Sequence, residues 1–183
     1  MHPDDCAELV AQGVETLRGR AANWQPDLRI EEIRLEERFK LYLTTRVRRY
    51  PTTTAEAGSG LVLPGGRLIT RQFQVPDLGS RQERVLVVLA TCDDFDGQPP
   101  LIEVLDSAGQ PLAPGDWPRD LTGQGIIANH PKYRRPFFCR PGVREYHEHP
   151  QHEDDPWDRH REGSTLDGIV LSVVADLHTR FVV

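Results

Sequence analysis

Four of the chain's seven histidines lie close behind a cysteine, in the segment Cys139-Arg-Pro-Gly-Val-Arg-Glu145-Tyr-His147-Glu-His149-Pro-Gln-His152 and then at His160. Thiolate, imidazole and carboxylate together suit a divalent metal. Zinc is the expected one, because it takes four such donors in a tetrahedron. The pairs His147-x-His149 and His149-x-x-His152 have feasible ligand spacing, and in an extended segment Glu145, His147 and His149 would share one face. The spacing therefore predicts a zinc site drawn from Cys139, Glu145, His147, His149 and His152. The same residues also support a nucleophilic Cys139, its proton taken by an imidazole and its thiolate favoured by Arg140, Arg144 and the histidines. The two readings exclude one another, since a coordinated thiolate is not free to attack. A third reading is hydrolysis by metal-activated water with Glu145 or Glu148 as base, and a fourth is a merely solvated His-rich acidic loop ending in Glu153-Asp154-Asp155. Outside the segment, His130 reads as a histidine that hydrogen-bonds its own loop, and Trp157 reads as a packing residue. Cys6 and Cys92 also read as packing residues.

These side chains need elements to hold them. Leu9, Val10, Gly13, Val14 and Leu17 recur at helical spacing behind Asp4 and Asp5, predicting a leading amphipathic helix. From Ile33 the period becomes two, through Leu35, Phe39, Leu41 and Leu43, and this reads as the first strand. A second strand is expected over 67–75 after the turn signal Pro64-Gly65-Gly66. Arg84–Ala90 supplies a third and Leu101–Leu105 a fourth, the last entered through the stiff Pro99-Pro100. The expected sheet is an antiparallel meander. After Asp106 runs a long aperiodic stretch, through His130-Pro131 to Cys139, of the kind that carries function. Ser164 with Asp167 reads as a capping box. Behind it Leu166, Ile169, Val170, Val173, Val174, Leu177 and Phe181 predict a closing helix with His178 at its polar edge.

The chain has 183 residues, enough for one substantial core, and no compositional break divides it. Hydrophobic residues at 38% and charged residues at 27% exclude strong disorder, while 15 Gly and 15 Pro favour many turns over a helical bundle. The net charge is −6, and basic residues are scattered apart from Arg46, Arg48 and Arg49, so nucleic acid is not an expected partner. The start is acidic and lacks an apolar leader, and no apolar run approaches a membrane span, so no membrane association and a cytoplasmic location are expected. Three cysteines make a disulfide framework improbable. The reading is a single α+β domain over 1–183.

The order of these features resembles the ubiquitin-conjugating (UBC) fold. A leading helix, a four-stranded meander, Phe95-Asp-Gly-Gln-Pro99-Pro100, His130-Pro131, Cys139, Trp157 and a closing helix around Leu171–Leu177 follow one another over nearly the whole chain. In that family a double proline precedes the fourth strand and a His-Pro-Asn motif precedes the acceptor cysteine. Position by position, His130 and Pro131 match the motif's first two residues and Cys139 matches the thioester-forming cysteine. Lys132 stands where the family has its oxyanion-stabilising Asn. The segment 139–162 is a His-rich insertion relative to that pattern. Separately, Cys139, Glu145, His147, His149 and His152 resemble a bacterial family described as a predicted metal-binding CEHH domain associated with ubiquitin-like conjugation. The resemblances imply a UBC-like conjugating protein with catalytic Cys139 and His130, whose partners are a ubiquitin-like protein and its activating enzyme. The alternative they imply is a zinc-binding adaptor of the same pathway.

Overall fold

The computed structural model describes residues 2–23, 29–49, 52–62, 68–76, 82–117 and 125–181. Helix α1 (Pro3–Asn23) is followed by strands β1 (Ile30–Glu36), β2 (Lys40–Arg49), β3 (Thr52–Val62), β4 (Leu68–Pro76), β5 (Gln82–Thr91) and β6 (Leu101–Leu105). Two-residue strands β7 (Ile126–Ile127) and β8 (Phe137–Phe138), the short helix α2 (Arg144–His147) and helix α3 (Leu166–Phe181) complete the chain. Strands β1, β2, β5 and β6 form one antiparallel sheet in that order, while among the described residues β3 pairs with β4 and β7 with β8. The class is α+β, with a helix before and a helix after a four-stranded antiparallel meander.

The membership of that meander differs from the expectation. The single period-two run from Ile33 to Leu43 folds back on itself as the β1–β2 hairpin. Its pairs are Leu35↔Leu41 and Ile33↔Leu43, so facing residues share the same parity and the alternation runs unbroken through the reversal. The turn carries no Gly, Pro, Asn or Asp to announce it. Glu37 and Arg38 both adopt positive φ, 50° and 65°, and the Phe39 N–H donates to the Glu36 carbonyl. The strand expected at 67–75 lies outside the main sheet, as β4, and its partner β3 was not expected. The Pro64-Gly65-Gly66 turn signal falls outside the described residues.

Alternation places rows of apolar side chains across the inner face. Leu35, Leu41, Ala90 and Ile102 form one row, and Ile33, Leu43, Val88 and Val104 the next. Both long helices cover this face, α1 packing on α3 and β1, and α3 on β2 and β5. Cys6, Val10, Val14 and Leu17 are the buried stripe of α1, whereas Leu9, expected on that face, is 39% exposed. At Gly13 the helices come so close that a Cβ would stand 2.9 Å from Leu166 Cβ. Helix α3 starts one residue later than the expected capping box. Thr165 Oγ1, not Ser164, accepts from the backbone of Gly168, and Asp167 instead pairs with Arg20 at 2.6 Å. Val173 and Val174 are both fully buried within this helix. At its far end His178 Nε2 meets the buried hydroxyl of Thr45 at 2.8 Å. Among the described residues no helix is long and apolar enough to cross a membrane.

Candidate functional site: a thiol and its ring of histidines

Cys139 follows β8 directly. Phe137 and Phe138 are buried and anchor it, with Phe138 packed on Trp117, and the Cys139 N–H continues the strand pairing by donating to the Gly125 carbonyl at 2.6 Å. The chain then turns at Gly142, whose φ of 97° suits glycine, into α2. Helix α2 is tied to the entry of β6. The prolines of Pro99-Pro100 have no N–H, and their carbonyls accept from Arg144, one from its Nε and one from its backbone. The guanidinium also meets Asp93 at 2.5 Å. Arg140 faces Asp176 at 3.1 Å. Neither arginine is therefore the source of positive charge for the thiol that the sequence suggested, because both are engaged elsewhere.

The nearest partner of the thiol is an imidazole. Cys139 Sγ lies 3.2 Å from His152 Nε2, and the thiol is partly exposed. Burial pushes the Cys139 pKa up, so the group is a protonated donor near neutrality. Burial, followed by the proximity of His149, pulls His152 down, which keeps its ring a neutral acceptor. The pair is thus a thiol facing a free base, not a preformed ion pair. Tyr146 stacks on His152 with centroids 3.9 Å apart and planes 19° apart.

The other expected site residues sit as follows. His130 is fully buried. Its Nε2 donates to the Glu145 carbonyl at 2.9 Å, and Nδ1 accepts from the backbones of Lys132 and Tyr133. Burial lowers its pKa, in keeping with a neutral ring. It knots its own loop, 130–135, to α2, and its buried nitrogens have no lone pair left for a reacting atom. Lys132, at the position of the motif's Asn, pairs with Glu148, which also accepts from Tyr133 at 2.6 Å. Burial alone would raise Glu148, but these two hydrogen bonds hold it below the usual carboxylate range. Glu145 is 1% exposed, and its carboxylate oxygens accept from Arg135 at 2.9 Å and from the Ile102 N–H at 3.3 Å. His147 uses both nitrogens: Nδ1 donates to the Asp155 carbonyl and Nε2 accepts from the Gly142 N–H. His149 stacks on Phe137, caps the turn Pro150–His152 through Nδ1, and its ring centroid is 5.8 Å from that of His152.

Of the five expected metal ligands, Cys139 and His152 face each other and His149 stands beside them. Glu145 and His147 have their donor atoms engaged, and among the described residues no three His, Cys, Asp or Glu side chains are arranged to hold a metal ion. The fit to a four-donor zinc site is accordingly incomplete. The sequence did not single out Tyr146 and Asp155. The spacing of Tyr146 from His152 carries no signal without knowledge of the intervening turn. Trp157 is the packing residue expected, buried with its indole N–H donating to the Asp96 carbonyl.

Residues 120–179, which contain this site, match the Y4jH-like family, described as the Y4jH family. A stretch of 27 residues is 59% identical to the uncharacterized protein y4jH of Sinorhizobium fredii (strain NBRC 101917 / NGR234). It takes in 15% of this chain and 13% of that relative's length.

Proposed function

We propose that this chain is a UBC-like thiol-transfer protein of a bacterial ubiquitin-like modification pathway, with Cys139 as the acceptor. The observation that carries the reading is the 3.2 Å approach of Cys139 Sγ to His152 Nε2 at a partly exposed position. Its support in the fold is the succession of helix, meander, His130 loop, Cys139 and closing helix. In the step, His152 takes the thiol proton as sulfur attacks the carbonyl of a ubiquitin-like protein's C-terminal thioester on its activating enzyme. The new S–C bond forms, the old one breaks, and the departing thiolate receives the proton. His130 positions the loop and is not a proton carrier in this scheme. A second reading, a zinc-binding adaptor, has in its favour only the Cys139–His152 approach, with the His149 ring next to that of His152.

A labelling time course with iodoacetamide, followed by mass spectrometry of the peptides holding Cys6, Cys92 and Cys139, separates them. The acceptor reading expects Cys139 to label fastest at neutral pH with or without a chelator, and to form a reducible adduct with an activated ubiquitin-like protein. The adaptor reading expects slow labelling until a chelator is added. Slow labelling in both conditions would remove both.

A further inference from the structure

His152 is held by its neighbours. Its Nε2 meets the thiol, and its ring face lies against Tyr146. The hydroxyl of Tyr146 donates to Asp155 Oδ2 at 2.8 Å. Asp155 is engaged through every polar atom it has. Oδ1 meets His160 Nε2 at 2.8 Å, its carbonyl accepts from His147 Nδ1 at 2.8 Å, and its N–H donates to the His152 carbonyl at 3.0 Å. Four residues around the thiol thus converge on one aspartate. A solvated acidic loop would have left Asp155 like its neighbours Glu153 and Asp154, which are exposed. The bond from His160 and then that from Tyr146 hold the Asp155 carboxyl below its usual range, so it stays an anionic acceptor.

We propose that Asp155 is the positioning residue of the Cys139–His152 pair, acting through the Tyr146 ring to keep His152 Nε2 directed at the thiol. The inference rests on the thiol-chemistry reading above. It makes the His-rich insertion a scaffold for one base, with His147 and His160 as struts.

The test is the iodoacetamide labelling rate of Cys139 in the full-length chain, with chelator present, for Asp155→Ala, Asp155→Glu, Tyr146→Phe and His152→Ala, alongside thermal melting. Loss of a merely structural contact would loosen the segment and expose the thiol, so labelling would accelerate. Loss of positioning does the opposite. Asp155→Ala is expected to slow labelling by about tenfold, a part of the roughly hundredfold that a positioned base can supply. Asp155→Glu restores the carboxylate and should recover most of the rate. Tyr146→Phe keeps the ring but loses the bond to Asp155, so it should slow labelling less than Asp155→Ala without unfolding the core. Wild-type or faster labelling in Tyr146→Phe and Asp155→Ala, with His152→Ala slow, would overturn the positioning role and leave the pair intact. Wild-type labelling in His152→Ala would overturn the pair itself, and the positioning role with it.

Discussion

The ring of His130 occupies a fully buried position where both nitrogens are engaged, with Phe137 edge-on at 4.8 Å and Tyr133 at 4.9 Å. Removing it would leave the Glu145 carbonyl and the Lys132 and Tyr133 N–H groups without their partner, and a buried polar group so stranded costs about 1–3 kcal/mol. His130→Ala is therefore expected to lower the urea midpoint by the equivalent of about 3 kcal/mol, since a cavity is added to the lost bonds. His152→Ala, at a less buried position with the thiol contact and the Tyr146 stack to lose, should lower the midpoint by less than His130→Ala while slowing Cys139 labelling. If the two variants exchanged these effects, the assignment of His130 as positioning and His152 as base would be reversed. Burial likewise separates the three cysteines. Cys6 and Cys92 are 2% and 0% exposed, and burial pushes Cys92 up to about 12, so neither competes with Cys139 for an alkylating reagent.

Among the elements, α1 offers a matched pair of glycines with opposite expected outcomes. At Gly19 a new Cβ meets no described residue within 4 Å, whereas at Gly13 it meets Leu166 Cβ at 2.9 Å. Alanine is favoured over glycine in a helix interior by about 1 kcal/mol, and overpacking a tight contact costs about 1–3 kcal/mol. Leu166 Cβ cannot swing aside as a flexible chain end would, so overpacking outweighs propensity. Gly19→Ala should raise the melting temperature and Gly13→Ala should lower it; equal shifts would mean that α1 and α3 do not approach here. The same helix shows what was legible beforehand. Its 3.6-residue period was visible in Val10, Val14 and Leu17, and the period of α3 was visible despite Val173-Val174, because burial against the sheet overrides the β-branched preference. The β1–β2 reversal was hidden, because a three-residue loop preserves parity and Glu37-Arg38 is not turn chemistry. Strand β3 was hidden by its stretch Ala55 to Gly60, which is small apart from Glu56 and carries no large apolar residue to mark an inner face. At the site, Cys139 and the histidines stood out by type. Which of them meet was set by turns at Gly142, Pro150 and Pro156 that composition does not encode, so Glu145 and His147 were grouped with the thiol although their polar atoms bond to other partners.

For the molecule as a whole, buried titratable groups set how stability varies with pH, and they pull in opposite directions. His130, His147 and His152 all have pKa values lowered by burial, so below 6.5 the unfolded chain binds protons that the native one refuses, and their contribution falls as pH drops. Glu145 does the reverse. Burial raises it from 4.5 to about 7, against the opposing pull of Arg135. Between those values the native state holds a proton that the unfolded state has released. Its contribution is thus fully present below 4.5 and lost as pH rises through about 7. A tenfold change in proton affinity corresponds to about 1.4 kcal/mol, so the Glu145 contribution amounts to a few kcal/mol at most across that window. Glu145→Gln keeps the shape and an acceptor for Arg135 but cannot ionise, which isolates the contribution. Urea unfolding of the two proteins at intervals from pH 4 to pH 8 should show the variant gaining on the wild type as pH rises from about 4.5 to about 7, with a constant difference beyond. A difference that instead grows toward acid pH would mean that Arg135 prevails over burial and that Glu145 is ionised beneath the thiol site throughout.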